Sequence, residues 1–438
     1  MSAHQGSTLP AGAAPAGLVA RLRGGLARLF AEPNPLWIRE LRQSARLGRT
    51  PVVLMTLVVL MTMLISSVGG LTATHESPAD TGVILFQVFF STAYFVVTLI
   101  GPAVAANSIA SEREGHTWEA VLLTGLPPGL IARGKLLAAF TSVATYIVML
   151  APVGALPFLF GGVTATEVVV AFAGLFLVAL LGVAFGLAIS SKMSSLRAAI
   201  VVTLLLAVPL AGTAFLTFGV LGSYFAHRAW PGVADGAPIW LPTAYERVPF
   251  GAGYVVFLVL LPVLTVMLPA WFLYEATVAN LTSVTDDRAS GLKRWFLFAV
   301  PALTVAAAVP VLAVPVYDRA PAALGGVAVL FCFLVSCVFL FAGDPIGPSR
   351  RVVLQWDRVR AGRFRRFLGP GVMRGATLLL VAGFGLIVVG VVGVQRSAWS
   401  SGMASTEPAS VALFATYLFA FHVFVVGLSA FLLSLIHI

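Results

Sequence analysis

Long, continuous apolar runs dominate the chain. Ten of them reach about 20 residues or more, at roughly 51–71, 82–106, 137–160, 168–189, 198–222, 251–274, 295–316, 322–342, 375–394 and 409–438. As a helix, each is long enough to cross about 30 Å of hydrocarbon. The runs do not alternate apolar with polar positions, so they predict helices rather than barrel strands. The expected fold is all-α: a polytopic helical membrane protein of about ten transmembrane helices. Composition agrees. Of 438 residues 59% are hydrophobic and 10% charged, and the mean hydropathy is +0.99. A soluble domain carries about 25% charged residues, and a water-soluble fold could not hide this much apolar surface.

Charge fixes the expected orientation. The net charge of +10 and pI near 10.2 would raise nucleic-acid binding in a soluble protein. With the N-terminus inside, however, 23 of the Lys and Arg residues fall on the inner side. Only Arg228, Arg247, Arg319 and Arg396 fall outside. This positive-inside bias accounts for the pI, so no nucleic-acid partner is expected. A cytoplasmic N-terminus and a multi-pass protein of the inner (plasma) membrane are. Arg outnumbers Lys 24 to 3, which suggests a GC-rich, bacterial genome. Trp230, Trp240, Tyr245 and Trp399 in the outer segments suit an interfacial aromatic belt. The first 50 residues hold seven Arg and no signal-peptide core, so no cleaved signal is expected. The last run reaches Ile438 without a polar tail, so a C-terminal truncation is.

Catalytic chemistry finds little support. Cys332 and Cys337 are five apart in an apolar run and suggest neither a disulfide framework nor a metal site. The stretch Gly129 to Lys135 has the spacing of a phosphate loop. Leu136 stands where a Ser or Thr must hold magnesium, and no strand precedes it. Lys135 is therefore read as snorkelling to headgroups. There is no GxSxG or HExxH. His75-Glu76 lacks a second His, and Asp344 lacks a partner aspartate in any neighbouring span. Glu167 and Glu275 sit at span edges, and His422 is the one deeply placed titratable residue. Ion-coupled carriers need ionisable groups near the midplane, so any transport is expected to be driven from outside the bilayer.

Three inner segments carry information. In the first, residues 18–50, Leu18, Leu22, Leu26, Leu29 and Phe30 share a helical face. Asn34-Pro35 then reads as the start of a new helix, Asn capping and Pro in the first turn. Trp37, Ile38, Leu41 and Ala45 line one side of it, and Arg39, Arg42, Arg46 and Arg49 another, as in an amphipathic helix on the inner leaflet. The plain alternative is a membrane anchor. The second segment is the loop 107–135. There a short helix ends near Gly115, a second element ends at Thr124-Gly125, and Pro127-Pro128 restarts the chain. The third, 344–374, holds eight Arg and two Asp with an interrupted apolar stripe, Val352, Val353, Trp356, Val359, Phe364 and Phe367. It is expected to lie on anionic headgroups, with a second docking surface as the alternative.

The order of these landmarks resembles the type-2 ATP-binding-cassette exporter permeases. The pattern is Asn-Pro…Arg-Glu-Leu-Arg at 34–42, two spans, and then Glu-Arg-Glu-x-x-Thr-x-Glu at 112–119. Leu-Leu-Thr-Gly-Leu-Pro at 122–127 and Ile-x-x-Gly-Lys-Leu-Leu at 131–137 complete it. The resemblance covers about residues 18–274. The family's Gly-Thr pair is here interrupted, Gly115-His116-Thr117. It implies a connector helix carrying Trp37, Arg39, Glu40 and Arg42. It also implies a coupling helix whose ATPase-docking residues are Glu112, Arg113, Glu114, Thr117, Trp118 and Glu119; the alternative is a solvated loop capping two helices. Short re-entrant helices are implied within 223–250. The implied organisation is a cytoplasmic segment 1–50, a six-span core 51–274 with the coupling loop, and four further spans in 275–438.

The expected function is thus the membrane-spanning subunit of an ATP-driven exporter that is not itself an enzyme. It has no catalytic residue, metal or cofactor of its own. ATP and magnesium belong to a separate cytosolic ATPase subunit, and a second permease copy or paralogue completes the pore. Spans without fixed charge lean toward an amphipathic or hydrophobic cargo, and membrane lipids are expected neighbours. The alternatives are an ion-coupled secondary carrier using Glu167, Glu275 or His422, and a non-transporting membrane scaffold. A scaffold would tolerate changes at Glu112, Glu114 and Trp118.

Overall fold

The computed structural model describes residues 34–46, 49–221, 230, 244–313, 319–401 and 406–436. The expectations for 18–33, Ile438 and most of 223–250 lie outside the described residues. In chain order the helices are α1 Pro35–Arg46, α2 Arg49–Thr72, α3 Pro78–Glu114, α4 Trp118–Leu123, α5 Pro128–Gly154, α6 Leu156–Phe160, α7 Ala165–Ser190 and α8 Leu196–Ala214. A π-helical stretch, Phe215–Leu221, continues α8. After α9 Ala244–Arg247, a turn at Ala252–Tyr254 and a second π stretch, Val255–Leu260, lead into α10 Leu261–Leu281. Then come α11 Ser290–Ala313, α12 Arg319–Ala342, α13 Arg350–Arg358, α14 Arg363–Phe367, α15 Val372–Ser401 and α16 Thr406–Ile436.

Among the described residues no strand occurs, and nine helices are long and apolar enough to cross a membrane. Each coincides with an apolar run in the sequence. The remaining run, 375–394, lies in α15, whose described apolar stretch is Val372–Val388. The protein is a multi-pass helical membrane protein. Three spans run well beyond their apolar runs, the third span by starting at Pro128. At 1.5 Å per residue the 37 residues of α3 extend about 55 Å, well beyond the hydrocarbon, so its last turns project from the bilayer. The sixth span, Val255–Leu281, passes Glu275.

Polar residues at the helix starts explain where the spans begin. Ser77 accepts from the Asp80 N–H and precedes Pro78. Thr164 and Glu167 form a reciprocal capping box. Ser195 and Ser349 cap α8 and α13. Glu167, a suspect for ion coupling, is therefore occupied in starting its own helix. Glu275 accepts from Trp271 Nε1 at 3.0 Å, and a Cβ on Gly291 would meet its carboxylate. His422 is fully buried, its Nε2 3.2 Å from the Leu379 carbonyl.

Two apolar cores organise the bundle. One holds Phe86, Phe89, Phe90, Ile147, Leu175 and Val183 from α3, α5 and α7. The other holds Trp295, Phe296, Phe331, Phe341, Leu379 and Val426 from α11, α12, α15 and α16. α10 joins them. Its Leu268 carbonyl accepts from Trp295 Nε1 at 2.8 Å, and its Tyr274 hydroxyl donates to the Gly129 carbonyl at 3.1 Å.

The tightest crossing is between α3 and α7. A Cβ on Gly186 would lie 2.1 Å from the Pro102 carbonyl oxygen, and one on Gly182 would lie 3.1 Å from the Pro102 ring. The spacing Gly182-x-x-x-Gly186 thus lets two backbones meet, as small residues do between membrane helices. One turn further along, the buried Ser190 hydroxyl donates to the Ala106 carbonyl at 2.7 Å. It accepts from the Ile109 and Ala110 N–H groups at 3.1 and 2.9 Å.

Candidate functional site

The loops 115–127, 191–195, 282–289 and 343–371 gather at one end of the bundle, here called the basic end. The hairpin between α3 and α5 is built from turn chemistry. Gly115 closes α3, its N–H bonding the Ser111 and Arg113 carbonyls. His116, the residue that interrupts the Gly-Thr pair, adopts a left-handed φ of 55°, and Gly125 after α4 one of 69°. The Thr117 N–H returns to the Glu112 carbonyl at 2.9 Å. Extended Pro127 and Pro128 then open α5.

Beneath this hairpin lies a buried ionic cluster. Lys135, at the start of α5, is wholly enclosed. Its Nζ lies 2.9 Å from Glu112 Oε2 and 3.2 Å from Glu40 Oε1, and it donates to the Ser108 carbonyl at 3.1 Å. Arg39 Nη2 stands 3.6 Å from the other Glu112 oxygen. One ammonium thus ties α1, α3 and α5 together. This corrects the expectation that Lys135 snorkels to headgroups: two carboxylates and a carbonyl draw it inward. A buried ion pair fixes geometry more than it adds stability, but removing one partner strands the others.

α1 is seated by more than charge. Asn34 Oδ1 accepts from the Leu36 N–H at 3.0 Å, and its Nδ2 donates to the Leu130 carbonyl at 2.7 Å. Leu36 is buried against Val121 and Ile131. Trp37 Nε1 donates to Thr141 Oγ1 at 3.2 Å. A Cβ on Gly134 would meet Asn34 Oδ1 and Leu36 Cβ, each at 2.9 Å. The look-alike of a phosphate loop is therefore a packing seam. Gly134 admits α1, Gly129 accepts from Tyr274, and Lys135 closes the cluster.

The remaining sequence candidates divide. Arg113 donates to the Met193 carbonyl at 3.3 Å and stands over the Trp118 ring at 5.6 Å. Glu114 Oε2 accepts from the Leu196 N–H at 2.6 Å, tying the hairpin to the start of α8. The Thr117 hydroxyl donates to the Glu112 carbonyl at 3.3 Å, and Trp118 is half-buried against both the first core and the Leu36 cluster. Glu119 and Arg42 face outward. Leu122 and Leu123 are 49% and 87% exposed on α4.

A second buried lysine went unnoticed in the sequence. Lys293 at the start of α11 is also wholly enclosed, its Nζ 2.6 Å from Asp344 Oδ2. It donates to the Gly369 and Gly371 carbonyls at 3.0 and 3.2 Å. Asp344, passed over for want of a second aspartate, is its counter-ion. The segment that follows is clipped down by Val352 and Trp356, both buried, by Arg351 to Asp286 at 3.1 Å, and by Arg374 over the Trp356 ring at 5.4 Å. At the opposite end, Tyr245 donates to the Leu258 carbonyl, and burial, with Tyr254 nearby, pushes its hydroxyl up to about 12. The Thr166 and Thr164 hydroxyls hold the exposed Glu246 carboxyl below its ordinary range.

Among the described residues no group of three or more His, Cys, Asp or Glu side chains is gathered to hold a metal ion. No family model matches the chain, and no curated protein matches it.

Proposed function

We propose that the protein is the membrane-spanning subunit of an exporter driven by a separate cytosolic ATPase, which docks on the hairpin 107–135. The observation that carries this reading is the pair Leu122 and Leu123, exposed on α4 of a hairpin whose other large apolar side chains are buried or half-buried and which Lys135 ties to the spans behind it. Exposed apolar residues rimmed by polar ones suit a surface that a partner covers. The sequence landmarks shared with type-2 exporter permeases point to the same partner. ATP-driven closure of two ATPase subunits would press on α4. The load would pass through Thr117 and Glu112 into α3, and through Lys135 into α5 and α1. In this scheme Glu112 and Lys135 position the hairpin, while Leu122, Leu123 and Glu119 meet the partner. A second copy of the chain, or a paralogue, would complete the export path, and the inner membrane is its place. The segment 344–374 rests on anionic headgroups: Arg350, Arg358, Arg360, Arg363 and Arg365 have no carboxylate partner among the described residues.

The test is a Leu122→Ser, Leu123→Ser double variant expressed in the native host. It is expected to reach the membrane in normal amount but to lose both the co-purifying ATP-hydrolysing subunit and its substrate-stimulated turnover. Undiminished co-purification and turnover would remove the hairpin from the docking role. A wild-type chain that brings down no ATPase at all would bring the carrier and scaffold readings level with this one.

A further inference from the structure

A cavity of about 570 Å³ lies within the first half of the bundle, between α3, α7, α8 and α10. That volume falls within the usual range for small-molecule sites. Its lining includes Gly174, Leu181, Phe185, Leu210, Val263 and Val266. No charged residue contributes to it. Its hydroxyls are already occupied by backbone carbonyls. Tyr94 donates to Ala211 at 3.0 Å, Thr98 to Tyr94 at 2.8 Å and Thr265 to Pro262 at 2.9 Å; Tyr245 donates to Leu258. The walls therefore ask nothing polar of an occupant.

Shape narrows the choice. Along α7 the lining runs from Val170 to Phe185, which spans about 22 Å at the helical rise. A space drawn out over that length, with walls that offer no unsatisfied polar group, suits an extended apolar chain rather than a compact polar ligand. The sequence keeps the slot open. Pro102 in α3 and Pro269 in α10 line it and interrupt their helices' hydrogen bonding, and Pro262 lines it from the first turn of α10. Both π-helical stretches contribute, through Phe215 and Gly219 and through Leu258 and Val259. Such irregularities are frequent at functional sites. Gly174 faces open space, with no atom within 4 Å of where its Cβ would stand.

We propose that this slot is a binding site for a single uncharged hydrocarbon chain: the acyl tail of a bilayer lipid or of a free amphiphile. The proposal does not depend on the ATPase reading, because the slot belongs to the membrane bundle alone.

The experiment uses the full chain in phosphatidylcholine nanodiscs with two photoactivatable probes. One is a diazirine-bearing palmitic acid, the other a phosphatidylcholine carrying the same diazirine tail. Adducts are mapped by peptide mass spectrometry. Lipid-facing Val59, Leu60 and Met63 of α2 serve as the reference for non-specific labelling. Labelling of 170–185 and 258–273 is expected to exceed that of α2, to saturate with rising probe concentration and to fall on addition of unlabelled hexadecane, while α2 labelling does neither. A Gly174→Leu variant, whose Cβ meets no atom, puts a side chain into the slot and is expected to lower slot labelling about tenfold, the equivalent of about two excluded methylenes. Labelling by the fatty acid alone identifies a free amphiphile, and labelling by the phospholipid identifies the bilayer; either supports the site. Slot labelling that matches α2, or does not saturate in the wild-type chain, overturns it even if the variant fails to fold.

Discussion

Two of the chain's three lysines are enclosed with a carboxylate, in a sequence that otherwise uses Arg for positive charge. The physical reason is size. An ammonium is a compact point charge with three donors, and each of these sites offers carboxylate and carbonyl oxygens converging on one atom. A planar guanidinium cannot turn its five donors onto such a point. Lys135→Ala should therefore leave Glu112 and Glu40 without their cation and cost about 3 kcal/mol, seen as a lower melting temperature in detergent. Lys135→Arg should recover little of it. A wild-type melting temperature for Lys135→Ala would show that the cluster is ornamental. The scarcity of Lys was visible in the sequence and was the signal to follow. The partners were not visible, because Glu40 and Lys135 lie 95 positions apart and meet only when α1 folds back on α5.

At the scale of elements, the spans were legible and their seams only partly so. Apolar runs locate each span, since a membrane span needs one long feature that local composition supplies, but not the ends of α3, α5 and α10. Where a helix outruns its apolar run, as α3 does through 107–114, hydropathy has nothing to report. The helix simply continues into water, held by Ser190 and Arg113. The hairpin's turns could be read from Gly115, Gly125 and the two prolines. The face of α1 that packs could not: Leu36, outside the Trp37–Ile38–Leu41 stripe, is the residue that docks. The glycine pair on α7 was legible as a spacing, and its partner Pro102 was not. Gly186→Ala should force α3 and α7 apart and cost about 1–3 kcal/mol, because the Pro102 carbonyl is backbone and cannot swing away. Gly174→Ala on the same helix, which meets nothing, should be nearly neutral. Paired thermal melts of the two variants decide the point; equal stability would mean that the crossing is looser than its geometry.

For the whole molecule, the buried lysines, the arginine-rich segment 344–374 and the hairpin 107–135 all collect at one end, and the charge bias predicts that this end faces the cytoplasm. With Cys332 and Cys337 replaced by Ala, a single Cys at Thr124 should react with a membrane-impermeant maleimide only after cells are opened. A single Cys at His75, in the exposed turn at the other end, should react in intact cells. The reverse pattern would invert the topology and remove the hairpin from reach of any cytosolic ATPase.

The Pro102 contact also divides α3 unequally. About 18 Å of helix separates it from Glu114 at the basic end, and about 36 Å separates it from Pro78 at the other. In the proposed exporter, an α3 turned as one body about that point would be a lever with the hairpin on its short arm. A small displacement of the hairpin would be about doubled at the far face of the membrane, and the force available there about halved. Such a gearing suits opening a wide gap against weak resistance, not prising apart a tightly packed one.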